Sequence, residues 1–441
     1  MKNFKDSGIE WLGEIPEHWE IKRLRYIGYV FGGLVGKTSK DFSDEYIKGF
    51  KPYITFKNIC DNTIINFNKI EYVNINDLEK QNKVIKNDIL FLQSSETLDE
   101  IGKSAIYLNE EKIYLNTFCK GFRVKNSAYP IFLNYLFNSL AYKKYFISNC
   151  SGFTRINLRQ EHLLDIPLIL PPLKEQEQIV NFLDEKCEQI ANFIEKKEKL
   201  ISLLKEQKQA LINETITKGL NKNVNFKDSG IEWLGEIPQH WEVRKLKYLG
   251  NFQNGISINS EAFGAGYPFV SYGDVYNNIS IPFNIKGLIN STIIDRKIYS
   301  VKQGDIFFTR TSETIDEIGI SSVCLKTIEN AVFAGFLIRF RANKKILDNN
   351  FAKFYFRRKL NQYFFAKENG LVTRASLSQE LLGRLPVIIP PLKEQEQIAN
   401  FLEEKCGKID LLIEKTKKQI KLIKEYKTTL INQAVCGRMD L

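Results

Sequence analysis

Leu170 to Cys187 reads LPPLKEQEQIVNFLDEKC, and Ile389 to Cys406, 219 residues further on, reads IPPLKEQEQIANFLEEKC. Each stretch opens a long helix. Pro171-Pro172 and Pro390-Pro391 stand where a helix start accepts proline, and Glu175 and Glu177 (Glu394 and Glu396) suit the positive end of the dipole. Gly219 and Gly437 lie where a C-cap is wanted, with no proline between start and stop in either copy. Apolar side chains recur at four and three spacing: Leu183, Cys187, Ile190, Ile194, then Ile201, Leu204 and Leu211. Leu402, Cys406, Ile409, Ile413, Ile420, Ile423 and Leu430 repeat them. A stripe held over several heptads predicts a coiled coil rather than a helix lying on a globular core. Lys197 with Thr416, and Lys208 with Lys427, interrupt it at matching places and either fix the register or mark where the pair loosens. From Pro172 to Lys218 the helix would run 47 residues, a rod of roughly 70 Å at ~1.5 Å per residue. Two such rods, each following its own domain, pair most simply antiparallel, with the two halves related by a pseudo-twofold axis.

Working outward, a second duplication precedes each helix. Phe4 to Trp19 reads FKDSGIEWLGEIPEHW and Phe226 to Trp241 reads FKDSGIEWLGEIPQHW, differing only at Glu17 and Gln239. The chain is therefore a tandem repeat of tag, variable region and helix. The expected divisions are residues 1–165 (tag and first variable domain), 166–222 (first helix), 223–385 (tag and second variable domain) and 386–441 (second helix). Within the variable regions, KPYITF (51–56), DILFLQ (88–93), YPFVSY (267–272) and DIFFTR (305–310) read as strands. Tyr135 to Phe146 and Phe351 to Phe365 read as helices with Lys and Arg outside. The fold class is α+β: two mixed domains joined by two long antiparallel helices. Trp11, Trp19, Trp233 and Trp241 sit in identical tags, so they suit packing rather than the reading of two different sequences.

The 441 residues carry 63 Lys and Arg against 52 Asp and Glu, a formal charge of +11, with 43% hydrophobic residues. That supports folded cores, excludes wholesale disorder and favours a polyanionic partner. No run of about 18 apolar residues occurs, and MKNFKDSGIEWLGEIP lacks the apolar core of a signal peptide, so a cytoplasmic protein with no membrane partner is expected. The 7 cysteines are scattered with no C-x-x-C, which predicts reduced thiols and no metal site.

The LPPLKEQEQIVNFLDEK and IPPLKEQEQIANFLEEK helix starts, the GIEWLGEIPEHWEIKRL and GIEWLGEIPQHWEVRKL tags and the DIFFTRTSETIDEIG island resemble the specificity subunit of type I restriction-modification systems. The resemblance covers essentially the whole chain. It implies that each variable region is a target recognition domain reading one half of a split, asymmetric double-stranded DNA site, with the paired helices as a ruler for the unread gap. It further implies a noncatalytic subunit bound by two methyltransferase and two restriction/translocase subunits. No cofactor is expected here; S-adenosylmethionine, ATP and Mg belong on those partners.

Two islands align between the diverged regions: SSETLDEIG from Ser94 with TSETIDEIG from Thr311, and GFTRINL from Gly152 with GLVTRASL from Gly370. Thr154, Arg155, Thr373 and Arg374 follow a glycine-containing turn from which Arg can meet guanine or phosphate and Thr a base or phosphate oxygen. Gln93, Ser94, Ser95 and Glu96, with Thr309, Arg310, Thr311, Ser312 and Glu313 in the second copy, offer the varied donors and acceptors that base edges require. Lys57, Asn58, Ser271, Tyr272 and Asp274 occupy equivalent places after a proline and suit base or backbone contacts. Lys143-Lys144 and Arg357-Arg358-Lys359 suit phosphates. The island acids near Lys103 do not fit a nuclease core, since Ile320 stands where a second lysine would be.

A self-contained DNA methyltransferase or nuclease is the catalytic alternative. It would need a Gly-rich cofactor loop and an Asp/Asn-Pro-Pro-aromatic motif, yet both Pro-Pro pairs precede Leu and no P-loop occurs. A coiled-coil scaffold that binds DNA without sequence preference is the other alternative.

Overall fold

The computed structural model describes residues 3–76, 78–125, 128–152, 155–257, 259–312, 317–343, 346–369 and 375–440. Thr154, Glu313, Thr373 and Arg374 lie outside them. The chain divides into two units that cut across the linear divisions expected above. One comprises residues 1–197 with 417–441, the other residues 198–416. Each unit thus contains one tag, one variable domain, the first half of that domain's own long helix and the second half of the other.

In the first unit, Phe4–Asp6 pairs antiparallel with Glu14–Pro16, and Glu20–Arg23 pairs with Pro167–Leu170 immediately before the long helix. The domain is thereby tied at both ends. Its main sheet is antiparallel in the order Ser104–Ile106, Ile89–Leu92, Cys119–Val124, Gly28–Gly32. All four residues of Ile89–Leu92 are buried, as a near-continuous apolar run covered on both faces should be. A second sheet (Tyr114–Leu115, Lys51–Ile54, Glu71–Val73, Phe42–Ser43) adjoins it. Helices Pro130–Phe137 and Leu140–Ser148 put Phe132, Phe137, Tyr142 and Phe146 into the core.

The second unit repeats this plan. Phe226–Asp228 pairs with Glu236–Pro238, Glu242–Lys245 with Pro386–Ile389, and the main sheet runs Gly250–Asn254, Leu337–Ala342, Asp305–Thr309, Ser321–Val323. Helices Asn349–Phe356 and Lys359–Asn369 take the covering position. A buried aspartate locks each main sheet: Asp88 to Arg123 at 2.7 Å, Asp305 to Arg341 at 2.6 Å.

The long helices run Leu173–Lys218 and Leu392–Val435. In the first unit, Leu183 and Ile190 share a core with Leu430, Ala434 and Val435; in the second, Ile212 and Ile216 share one with Ile398, Leu402 and Cys406. The start of each helix therefore packs beside the end of the other, so the two run in opposite directions. The repeated KEQEQ motif is explained by its first glutamine. Gln176 accepts from Tyr129 N and donates to the Pro171 carbonyl, and Gln395 does the same with Asp348 N and the Pro390 carbonyl, all at 2.8 Å. The preceding glutamate meets the tag: Glu175 lies 2.8 Å from His18, Glu394 2.7 Å from His240. The tag tryptophans are packing residues as expected. Trp19 and Trp241 are fully buried, against Gly437 and Gly219 at the helix ends, where both glycines have positive φ.

Two expectations are corrected here. The first unit's covering helices keep Lys143 and Lys144 toward solvent as expected, but the second unit's covering segment does not: Lys353 is buried against Glu403, and Arg358 is 0% exposed, lying over the Tyr355 ring and bonded to Tyr355 O and Thr217 Oγ1. Arg357 donates to the carbonyls of Val275, Asn278, Tyr276 and Ser321. The run Arg357-Arg358-Lys359 therefore does not present two of its three cations to phosphate. The seam interruptions also differ from one another. Lys208 reaches Asp410 of the other helix at 2.6 Å, whereas Thr416 turns its hydroxyl back onto Leu412 O at 2.7 Å.

Candidate nucleic-acid interface

Strand pairing brings together the two islands that lie some sixty residues apart in sequence. In the first unit Ser94–Ser95 pairs antiparallel with Ile156–Leu158, setting Ser95 opposite Ile156 and Ser94 opposite Asn157. In the second, Thr311–Ser312 pairs with Ala375–Ser376 in the same sense. The residue before each short strand is anchored identically. Gln93 N donates to Phe118 O and its carbonyl accepts from Leu158 N; Arg310 N donates to Phe336 O and its carbonyl accepts from Leu377 N. One backbone frame, used twice, carries Gln93 in one domain and Arg310 in the other.

In the first unit this frame borders a cleft of about 330 Å³ lined by Phe56, Ser94, Ser95, Glu96, Phe118 and Arg155. Its polar groups divide into those fixed internally and those facing solvent. Ser95 and Cys60 both donate to Glu100, and these hydrogen bonds, Ser95's first, hold the Glu100 carboxyl below its ordinary range. Burial, then the bond to Glu100, pushes the Cys60 thiol up. Glu100 is thus a structural acceptor tying helix Phe56–Asp61 to the island. Tyr276 donates to Glu317 at 2.8 Å at the equivalent place in the second unit. Glu96 and Arg155 are exposed, and Arg155 lies over the Phe118 ring with its guanidinium carbon 4.4 Å from the centroid.

The hairpin carrying Arg155 depends on Gly152. With φ at +134°, a Cβ there would meet Arg155 O at 2.0 Å, so only glycine closes this turn.

Several sequence-selected residues turn out to serve the fold. Asn58 is 2% exposed, donates to the carbonyls of Asn66 and Lys69 and accepts from Asn66 N. Thr309 is fully buried between Glu317 O and Ile320 N, and Ser94 and Ser95 are buried. Ser271 and Asp274 form a capping box on helix Tyr272–Asn277, each satisfying the other's backbone. Tyr272 stacks on Tyr276 with centroids 5.9 Å apart. Asn58, Ser95 and Thr309 are buried and spend their side-chain hydrogen bonds inside the fold, while Ser271 and Asp274 are half-buried and bond each other. Lys57, Glu96, Arg155 and Thr311 are exposed, and Gln93 and Arg310 are half-buried beside them. Ser312 belongs to the short strand beside Thr311.

Phe118 and Phe336 border the same frame in the two domains and were not singled out in the sequence. They are 43% and 63% exposed at equivalent points. A signal was present: Phe118, Phe122 and Arg123 recur as Phe336, Phe340 and Arg341 at an offset of 218.

Fold and surface together define a duplicated two-domain protein with one polar and aromatic cluster per domain. A family model described as the type I restriction modification DNA specificity domain matches residues 16–213 and again 238–422, and the chain belongs to that family. It is 29% identical over 459 residues to the putative type I restriction enzyme MjaX specificity subunit of Methanocaldococcus jannaschii, covering 99% of this chain and 97% of the relative. It is 22% identical over 432 residues to the type I restriction enzyme EcoKI specificity subunit of Escherichia coli K12, covering 97% and 90%. In fold it is similar to a chain from a structure on complex assembly and conformational transition of the type I R-M system, with TM-score 0.73, 15% identity and 96% and 99% coverage. The HsdS subunit from Thermoanaerobacter tengcongensis aligns at TM-score 0.55 with 14% identity, covering 96% of this chain and 98% of that one. Among the described residues no helix is long and apolar enough to cross a membrane.

Proposed function

We propose that the chain is the noncatalytic subunit that gives a type I restriction-modification complex its DNA sequence specificity. Each domain reads one half of a split, asymmetric site. The long helices set the unread gap, and two methyltransferase and two restriction/translocase subunits are directed to the site. The chain itself takes no cofactor; S-adenosylmethionine, ATP and Mg are bound by those partners. Within each domain, DNA is met by Lys57, Gln93, Glu96, Thr154 and Arg155, and by Tyr272, Arg310, Thr311, Ser312, Glu313, Thr373 and Arg374.

One observation carries this reading: the same short-strand frame occurs in both domains but bears different side chains, Gln93 against Arg310. A duplicated catalytic centre would repeat its chemistry, whereas two readers of unlike words must differ at the reading positions. Two linked readers are also physically useful, because each mismatch costs only ~1 to 3 kcal/mol and separate positions roughly add. The test is a map of methylated adenines in cells carrying the chain with its methyltransferase. Methylation confined to one split motif is expected. Unpatterned methylation would remove the specificity reading and favour a scaffold held by charge alone.

A further inference from the structure

We propose that Phe118 and Arg155 form one reading unit, in which the phenyl ring holds the guanidinium flat so that its edge addresses a guanine in the first half-site. The inference rests on the preceding reading that this face meets DNA, and it deepens that reading by naming a base and the residue pair that selects it.

The ring is a fixed platform. Phe118 precedes strand Cys119–Val124, whose first residue is fully buried, and its backbone is pinned on both sides: its N donates to Asn116 Oδ1 at 2.9 Å and its carbonyl accepts from Gln93. The ring itself remains 43% exposed. Arg155 lies over it at 4.4 Å, and among the described residues no carboxylate pairs with the guanidinium. Stacking occupies a face of the guanidinium, while its five N–H donors lie in the plane and point outward from the edge. An in-plane fork with two parallel donors matches the O6 and N7 acceptors of guanine in the major groove, the commonest specific contact between a side chain and DNA. Phosphate binding needs no such platform, since a point charge suffices.

A single exposed phenylalanine means little by itself. Here the position is repeated: Phe336 is 63% exposed and its carbonyl accepts from Arg310 N just as that of Phe118 accepts from Gln93. Two domains that otherwise diverge keep a solvent-facing ring beside the same short strand.

The full chain, assembled with its methyltransferase subunit, should be given a DNA library randomised at both half-sites, and the methylated molecules sequenced. The unaltered complex is expected to select one split motif with a guanine in the first half-site. Phe118→Ala, Arg155→Ala and Arg155→Lys should each lose preference at that same guanine by about tenfold, with the second half-site untouched. Phe118→Trp should keep it. The double variant Phe118→Ala with Arg155→Ala should be no worse at that position than Arg155→Ala alone, and Phe336→Ala should relax only the second half-site. The proposal is overturned if Arg155→Lys retains the guanine preference, because lysine keeps the charge and lacks the fork. It is also overturned if the Phe118 and Arg155 variants relax different positions, or lose all sequences in equal proportion. If the unaltered complex selects no split motif, it is the underlying DNA-specificity reading that has failed.

Discussion

Asp305 and Arg341 show how a single pair can govern a domain. The carboxylate is fully buried, accepts from Arg341 on the neighbouring strand and from Lys302 N, and so ties two strands and a turn to one charge. Replacing it with alanine strands the guanidinium against the sheet. Asp305→Ala should therefore destabilise the second unit by about 3 kcal/mol, the lower end for a broken buried pair because Arg341 keeps partial solvent access. Thermal unfolding of the full chain checks this, and hydrogen exchange should place the loss in residues 198–416 and not in the first unit. Gly152 is the other residue with a clear consequence. Gly152→Ala forces a side chain into the Arg155 carbonyl and should cost ~1 to 3 kcal/mol of local strain. Amides of Ile156–Leu158 should lose protection, and selection at the first half-site should weaken while the second half-site keeps its preference. Equal weakening of both halves would show that the turn matters only for overall folding.

The long helices were the most legible elements in the sequence, because their apolar period, proline start and glycine stop are local signals that packing reinforces. The predicted start at Pro172 and the observed start at Leu173 differ by one residue, and the end at Lys218 agrees. The candidate interface was less legible for a physical reason. Its frame exists only because Ser94–Ser95 pairs with Ile156–Leu158 across sixty residues, and no local pattern distinguishes a serine facing DNA from Ser95 bonded to Glu100. Asn58 and Thr309 carry the right chemistry for base reading but spend it on the backbone around them. The seam offers a test at this scale. Lys208 sits where an apolar residue belongs, yet it reaches an exposed Asp410, and pairs of that kind contribute only ~0 to 1 kcal/mol. The position equivalent to Asp410 in the first helix is Ala191, so the other seam lysine, Lys427, has no matching acid there. Lys208→Leu should thus leave the melting temperature unchanged or slightly raised. A marked fall would mean that the lysine fixes the register of the pair.

At the scale of the whole chain, the core of each unit includes the last turns of the long helix that follows the other variable domain in sequence. Leu430, Ala434, Val435 and Cys436 belong to the core that contains Trp19, Leu24 and Phe132, although some 300 residues separate them from most of it. The Arg438 side chain closes the arrangement by donating to Leu12 O at 3.0 Å, and Asn432 accepts from Ala141 N. Deleting every residue after Thr429 removes a buried leucine and a buried valine, each worth ~1.5 to 3 kcal/mol, and uncovers Trp19 where Gly437 packs on it. The summed loss is on the order of 5 kcal/mol, comparable with the whole stability of a small domain. The truncated chain should therefore lose hydrogen-exchange protection throughout residues 3–197 while residues 198–416, whose own core draws on Ile212 and Ile216, keep theirs. A truncation that spared the first unit, or that melted both units together, would contradict this division of the cores. The expected pattern carries a functional consequence under the specificity reading: a change at the last turn of the second helix should damage recognition by the first domain, the one farthest from it in sequence, and leave the second domain's half-site preference in place.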